Sequence, residues 1–173
     1  MIFISGVHGV GKSFFCDRVR EQLGIESYSA SKLITERKKV GFPASKLIPD
    51  IDDNQPYLLD AVEELKAEGK DFLLDGHFCL LDGNGVITRI SENTFTSLRP
   101  DAIILLTEDP AIIAERRSSR DGVATEVDVI RAFQEEEIKY AQEIADLLKV
   151  PIMVSKGSND VDDTIAFIVE RRK

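Results

Sequence analysis

Short apolar runs alternate along this chain with segments whose apolar residues recur at helical spacing. The runs are typical of strands buried on both faces of a sheet. They lie at residues 2–5, 71–75, 102–106 and 152–154, with a fifth near residues 25–28. The helical spacing occurs at residues 12–23, 32–39, 57–68, 110–118, 126–148 and 159–171. This alternation predicts an α/β fold, a three-layer α/β/α sandwich with a five-stranded, mostly parallel sheet.

Turn-forming residues set the expected boundaries of these elements. Ser31 is expected to cap the helix over residues 32–39, and the Pro-, Asp- and Asn-rich residues 43–56 are expected to form a loop. The segment Asp82-Gly83-Asn84-Gly85 lies between two short apolar runs and predicts a hairpin within residues 77–90.

The same spacing predicts which side chains two helices bury. In the first helix the apolar positions are Phe14, Phe15, Val19 and Leu23. In the long helix over residues 126–148 we expect Val129, Phe133 and Ile144 to face the core. A solvated face is expected from the acidic residues Glu135, Glu136, Glu137 and Glu143.

Composition narrows the classes of function. The chain has 173 residues, which suits a single domain, and a net charge of −9, which argues against general nucleic-acid binding. Because we find neither a membrane-spanning run nor a signal peptide pattern, we expect a cytoplasmic protein that does not bind membranes. Cys16 and Cys79 match no metal or redox spacing and are expected to be buried, reduced thiols. The sequence leaves a monomer and a homodimer open.

The segment Gly6-Val7-His8-Gly9-Val10-Gly11-Lys12-Ser13 carries the strongest chemical signal. It fits the P-loop pattern G-x-x-x-x-G-K-S in full, with a strand before it and a helix after it. Its glycines let backbone N–H groups turn toward phosphates, and the helix N-terminus adds partial positive charge. Lys12 is expected to reach the β- and γ-phosphates of ATP, and the Ser13 hydroxyl to bind Mg²⁺. The other candidate nucleotide contacts are Gly6, His8, Gly9, Val10, Gly11, Phe14 and Lys156.

Asp75 ends a buried strand, and its position predicts a second ligand for the metal. Ligands of open α/β sheets bind beyond the carboxyl ends of the strands, so Asp75 is expected near Lys12. The next residue is Gly76, where hydrolysing P-loop ATPases commonly place a water-activating Glu. The sequence therefore favours phosphoryl transfer over hydrolysis.

Arginines follow the strand over residues 102–106 and its Pro-led helix. Arg116, Arg117 and Arg120 lie where a lid could close over phosphates, and fixed cations there would offset charge and exclude water. Arg116 and Arg120 are expected to act in catalysis, and Arg116 and Arg117 to contact the nucleotide. The alternative is that these arginines only complement the helix C-terminus or pair with Asp121.

Taken together, these segments resemble the nucleoside-monophosphate kinases of the adenylate kinase group, and most of all the archaeal-type adenylate kinases. The matching segments are the P-loop, Phe72-Leu73-Leu74-Asp75-Gly76-His77, Leu98-Arg99-Pro100-Asp101-Ala102-Ile103-Ile104 and Glu115-Arg116-Arg117 with Arg120-Asp121. The resemblance implies ATP with Mg²⁺ as phosphoryl donor, a mobile acceptor-binding region at about residues 29–60 and a short lid at about residues 117–125. It also offers Arg37, His77 and Arg89 as contacts of a small nucleotide acceptor. His8 stands where Pro is usual, and Asn84-Gly85-Val86-Ile87-Thr88-Arg89 replaces the usual Gly/Pro-rich segment.

Three functions remain open on the sequence. The first is transfer of the γ-phosphoryl of ATP to a nucleoside monophosphate, with AMP as the first guess. The second is phosphorylation of a nucleoside or a small hydroxylated metabolite, in which Asp75 could serve as the base. The third is a nucleotide-dependent binding protein, namely a regulatory ATPase or an RNP-assembly factor with an adenylate-kinase-like fold, or a nucleotide sensor without catalytic activity.

Overall fold

A computed structural model describes residues 1–38, 47–48, 50–122 and 124–171. The strands are β1 (Ile2–Ser5), β2 (Glu26–Ser29), β3 (Leu47–Ile48), β4 (Phe72–Asp75), β5 (Cys79–Asp82), β6 (Ile87–Arg89), β7 (Ala102–Thr107) and β8 (Ile152–Lys156). The α-helices are α1 (Lys12–Leu23), α2 (Ala30–Lys38), α3 (Ile51–Ala67), α4 (Glu92–Leu98), α5 (Pro110–Asp121), α6 (Val127–Leu148) and α7 (Val161–Arg171). A 3-10 turn, Gly157–Asp160, joins β8 to α7. None of the helices described is long and apolar enough to cross a membrane.

Five strands form one parallel sheet in the order β2-β4-β1-β7-β8. This confirms the predicted fold class. β1 lies in the centre, and the chain leaves it toward β2 on one side and reaches β7 on the other. The loop after β1 therefore emerges at a switch point of the sheet, where open α/β folds place their ligands.

Side chains of the sheet alternate between two cores. Phe3, Leu74 and Ile103 belong to the core covered by α2, α3, α4 and the C-terminal half of α6. Ile4 and Leu73 belong to the opposite core, which is covered by α1, α5 and α7. This alternation is the period-2 pattern of a strand, and it explains why both faces of the sheet are apolar.

A second, three-stranded sheet has the strand order β3-β5-β6, in which β3 precedes β4 along the chain and β5 and β6 follow it. The predicted hairpin is confirmed, because β5 and β6 pair antiparallel around the turn. The carboxylate of Asp82 stabilises that turn by accepting hydrogen bonds from the backbone N–H groups of Asn84 and Val86, at 2.8 and 2.9 Å.

The region over residues 43–56 differs from the expectation. Residues 43–46 and 49 lie outside the described part, but α3 begins at Ile51 instead of Tyr57. Its buried positions continue at helical spacing through Ile51, Asn54 and Leu58. The prediction was wrong because the Pro, Asp and Asn content of this segment was taken to indicate a loop, whereas the packing of one helix face outweighs the low helix propensity of these residues.

Two other helices also differ from the prediction. α2 begins at Ala30, so Ser31 lies inside it and is no N-cap. α4 was not predicted, because its seven residues are too few to show a helical period, although Phe95 and Leu98 are fully buried.

Two side chains of α6 point opposite to the expected direction, because Glu137 is buried at 1% exposure and Val129 is 54% exposed. Phe14 is 61% exposed, which agrees with its place among the candidate nucleotide contacts. Glu135 and Glu143 are exposed and Ile144 is buried, as expected. The two free thiols, Cys16 and Cys79, are both buried, which confirms that expectation.

Candidate nucleotide-binding site

The phosphate-binding loop lies between β1 and α1 and packs tightly against β7. Gly6 has a φ of +148°, and a Cβ there would lie 2.6 Å from the carbonyl oxygen of Leu106. Gly11 has a φ of +110° and serves as the N-cap residue of α1. These two positions need glycine for different reasons, close approach at the first and a left-handed backbone at the second.

Lys12 is buried in this loop, although it carries a charge. Its Nζ donates a hydrogen bond to the carbonyl oxygen of Gly6 at 2.5 Å and lies 3.8 Å from Asp75 Oδ1. Burial lowers the pKa of Lys12, and the carboxylates of Asp75 and Glu137 oppose that shift. Ser13, the next residue, is exposed in the first turn of α1.

Asp75 lies at the carboxyl end of β4, next to β1, as predicted. Burial raises its pKa, and the nearby ammonium group of Lys12 opposes that shift. Gly76 follows with its Cα packed on Phe3, so that a Cβ there would lie 2.8 Å from two ring carbons. The packing therefore leaves no space at residue 76 for a water-activating glutamate.

Glu137 is a residue of this site that the sequence reasoning missed. Its carboxylate accepts hydrogen bonds from the backbone N–H groups of Phe78 and Cys79, at 2.9 and 2.7 Å, and from the Ser5 hydroxyl. Burial raises the pKa of Glu137, and these hydrogen bonds and Lys12 oppose the shift. The side chain thus connects the end of β1 to the chain that follows Asp75. Its helical position, one turn from buried Tyr140, was the available signal.

Arg116 and Arg117 contact the backbone of the phosphate-binding loop. Arg116 donates to the carbonyl oxygen of Val10 at 3.2 Å and pairs with Glu108 at 3.1 Å. Arg117 donates through Nε to the carbonyl oxygen of His8 at 2.8 Å, and burial lowers its pKa. Both arginines hold the loop in this structure.

Arg120 belongs to the last turn of α5. The sequence predicted that this helix ends at about residue 118 and that Arg120 lies in the following loop. Its guanidinium makes two hydrogen bonds of 2.8 Å to the carboxylate of Asp121. It nevertheless lines the same cavity as Lys12 and Arg116. Lys156 is exposed at the end of β8 and is not among the residues that line this cavity.

One cavity of about 1090 Å³ extends from the phosphate-binding loop into the protein. At one end it is lined by the loop, Lys12, Ser13, Phe14, Arg116 and Arg120, and in the middle by Asp75, Gly76 and His77. The other end, here called the apolar chamber, is lined by Phe3, Ile34, Ile48, Asn54, Gln55, Leu58, Leu80, Ile90, Thr94, Phe95 and Leu98. The volume of the whole cavity exceeds that of most single-ligand pockets, so the cavity can hold two ligands end to end.

His77 lies at the junction of the two ends. Its ring centroid is 4.7 Å from that of His8, and its Nδ1 is 3.9 Å from Glu137 Oε1. The structure thus brings His77 to the cavity, as the resemblance implied.

Arg37 and Arg89 do not line the cavity. Arg37 pairs with Glu64, at 2.5 Å, in a separate depression. Arg89 pairs with Glu136 and Glu143, at 2.6 and 2.5 Å, and its guanidinium lies over the ring of Tyr140. Their role in acceptor binding stays a prediction.

A sequence family described as "AAA domain" matches residues 5–151, which includes every residue of the cavity's polar end up to Arg120. The chain belongs to the AAA-domain family. It is also 28% identical over 123 residues to an adenylate kinase of Pyrobaculum aerophilum. That alignment covers 67% of this chain and 62% of the archaeal protein, so the chain spans less than two thirds of that relative's length.

Solved structures with the same fold include several small kinases. A gluconokinase from Sinorhizobium meliloti aligns with a TM-score of 0.57 at 16% identity, over 98% of this chain and 89% of the other. A deoxyadenosine kinase from M. mycoides aligns with a TM-score of 0.55 at 16% identity, over 99% and 97% of the two chains. At this identity the likeness shows that this AAA-domain chain shares their fold.

The residues at the polar end of the cavity fit a nucleoside triphosphate with Mg²⁺. The P-loop backbone, a helix N-terminus and buried Lys12 are the donor set that phosphates need. A serine hydroxyl and a carboxylate, Ser13 and Asp75, are oxygen ligands suited to Mg²⁺. Among the described residues, no group of three His, Cys, Asp or Glu side chains could hold a metal by itself, so a metal here would need phosphate and water oxygens as well.

Proposed function

We propose that this chain transfers the γ-phosphoryl group of ATP to a nucleoside monophosphate, with AMP as the first candidate. The single observation that carries the proposal is the continuous cavity of about 1090 Å³, which joins a phosphate-binding loop to an apolar chamber and has room for two ligands. The partial similarity to an archaeal adenylate kinase supports the same reading.

ATP would supply the phosphoryl group, and Mg²⁺ would offset part of its charge. The loop and Lys12 would bind the phosphates, and Ser13 and Asp75 would hold the metal. Arg116 and Arg120, which line the cavity at the polar end, would stabilise charge on the transferred group. No protein nucleophile is needed, because a phosphate oxygen of the acceptor attacks phosphorus directly.

A second candidate function has a specific observation in its favour. Arg37 and Arg89 are held by glutamates, and no arginine among the described residues lines the apolar chamber. A neutral acceptor such as a nucleoside, or another hydroxyl compound, would need no such cation. Asp75 could then take the hydroxyl proton as transfer proceeds, since burial raises its pKa toward that of a general base.

The experiment is a coupled ADP-release assay with ATP and Mg²⁺ against matched pairs of acceptors. The pairs are AMP and adenosine, CMP and cytidine, UMP and uridine, and GMP and guanosine, together with gluconate and shikimate. Turnover with a monophosphate but not with its nucleoside supports the first function, and the reverse result supports the second. Slow ADP release that no acceptor accelerates contradicts both, and it would identify a nucleotide-dependent ATPase.

A further inference from the structure

The two histidines of the chain meet where the polar end of the cavity joins the apolar chamber. His8 belongs to the phosphate-binding loop and His77 to the segment after β4, and their ring centroids are 4.7 Å apart with an angle of 49° between the rings. Both residues line the cavity. The loop therefore presents an imidazole side chain to the point through which a transferred group must pass.

Hydrogen bonds hold the backbone of both histidines in place. The carbonyl oxygen of His8 accepts a hydrogen bond from Arg117 Nε at 2.8 Å. The backbone N–H groups of Gly76 and Phe78, on either side of His77, donate to a carbonyl oxygen of β1 and to a carboxylate of α6, both at 2.9 Å. Side chains on a backbone fixed in this way need little reorganisation when charge develops beside them.

The order of groups along the cavity locates the phosphoryl group relative to this pair. The loop and Lys12 would bind the phosphates of ATP at the polar end, and the acceptor would occupy the apolar chamber. The terminal phosphate of ATP would then face the junction, where His8 contacts His77. The imidazole of His8 carries an N–H donor in either protonation state, so it can donate a hydrogen bond to a phosphoryl oxygen.

The surrounding charges favour His8 over His77 for this contact. His77 Nδ1 lies 3.9 Å from the buried carboxylate of Glu137, which would repel a phosphate oxygen at that ring. His8 lies in the loop that contains Lys12, and the guanidinium of Arg117 binds its carbonyl oxygen. An anion is therefore stabilised on the side of His8, and His77 supports the His8 ring from the other side.

We propose that the imidazole of His8 donates a hydrogen bond to the γ-phosphoryl group of ATP and acts as a catalytic residue in its transfer. Backbone N–H groups bind phosphates in any P-loop, whereas this contact would come from a side chain. The role in turnover rests on the proposed function, but the contact with the γ-phosphate can be measured without any turnover.

The test compares nucleotides that differ by the γ-phosphate. Binding of ADP and of β,γ-imido ATP, each with Mg²⁺, is measured by calorimetry in the wild-type protein and in two variants. His8→Leu keeps an apolar side chain against His77 and removes the N–H donor, whereas His8→Gln keeps a side-chain N–H donor. We expect His8→Leu to lower the preference for the triphosphate over ADP by roughly ten-fold to a hundred-fold, with little change in ADP affinity. His8→Gln should restore most of that preference.

A control variant and a turnover measurement complete the test. Arg20→Ala, on the exposed face of α1, should keep the preference of the wild-type protein. In the ADP-release assay with the best acceptor, His8→Leu should lower kcat by a factor similar to the loss of preference, because the contact persists in the transition state. The KM for the acceptor should change little.

An unchanged preference in folded His8→Leu would overturn the inference, as would a wild-type protein that binds both nucleotides equally. Equal losses of ADP and triphosphate binding would also overturn it, since His8 would then act only on the shape of the loop. The same holds if His8→Gln is no better than His8→Leu. If His8→Leu fails to fold, His8→Ala takes its place with the same expectation. Failure of the proposed function is a separate result, namely a preference that depends on His8 although no acceptor accelerates ADP release.

Discussion

Single residues at the carboxyl edge of the sheet decide what chemistry the site can perform. Gly76 is the clearest case, because the ring of Phe3 occupies the space where its side chain would be. The absence of a glutamate at this position is thus a consequence of packing as well as a clue to function. Close packing of this kind makes even one added methyl group costly.

We predict that Gly76→Ala destabilises the protein by about 1–3 kcal/mol, because the new Cβ overlaps Phe3. Urea unfolding measures the change. Phe3→Leu shortens the opposing side chain, so the double variant should lose less stability than the sum of the two single variants. Additive losses would show that the two residues do not compete for the same space.

At the scale of elements, α6 and α5 hold the loops that emerge from the sheet. α6 inserts Glu137 between the end of β1 and the start of the hairpin, where the carboxylate accepts two backbone N–H groups and a hydroxyl. α5 presents three arginines, of which two bind the backbone of the phosphate-binding loop and the third lines the cavity. The helices thus fix the geometry of loops that have little structure of their own.

Glu137→Ala is expected to lower the free energy of unfolding by about 3 kcal/mol or more, because it leaves two buried N–H groups without an acceptor. Glu135→Ala, on the exposed face of the same helix, is the matched control and should change it by less than about 0.5 kcal/mol. Chemical unfolding at neutral pH gives both values. Similar small losses for the two variants would contradict the structural role of Glu137.

Substitutions of Arg117 and Arg120, which both belong to α5, should change different kinetic parameters. Arg120→Ala should lower kcat by about a hundred-fold with little change in the KM for ATP, because Arg120 lines the cavity but does not hold the loop. Arg117→Ala should instead raise the KM for ATP, since its hydrogen bond to the carbonyl oxygen of His8 is lost. Steady-state kinetics with the best acceptor measures both effects. The assignment fails if both variants change the same parameter equally.

At the scale of the whole molecule, one cavity contains both a set of cations and an apolar chamber, although the chain has a net charge of −9. Lys12, Arg116 and Arg120 line the cavity where phosphates would bind, together with the carboxylates of Asp75 and Glu108. Binding of ATP with Mg²⁺ to this site should therefore stabilise the folded protein through mass action.

ATP with Mg²⁺ at a hundred times its Kd should stabilise the protein by about 2.7 kcal/mol and raise the Tm by about 5–10 °C. Lys12→Ala should remove most of this shift, because it deletes the buried cation of the phosphate-binding loop. Lys70→Ala alters a lysine that is 79% exposed and should keep the full shift. Thermal unfolding followed by circular dichroism provides the measurement, and an undiminished shift in folded Lys12→Ala would contradict the assignment.

The sequence by itself determined the features that depend on local patterns. Neighbouring residues encode the buried strands β1, β4 and β7, the P-loop, the hairpin turn at Asp82 and the Pro-led helix α5, and the structure has them where expected. β2 also lies near its expected position, but none of its residues is buried. Asp75 beside Lys12 also followed from sequence, because the carboxyl ends of parallel strands share one edge.

Only the tertiary structure decided which side chains meet across the fold. Glu137 is 132 residues from Ser5 along the chain. Its charge predicted a solvated position, but the packing of α6 buries its carboxylate between the end of β1 and the start of the hairpin. Arg37 and Arg89 have the right charge for an acceptor phosphate, yet they pair with glutamates of α3 and α6 and do not line the cavity. Such partners are chosen by long-range packing, which leaves no local pattern in the sequence.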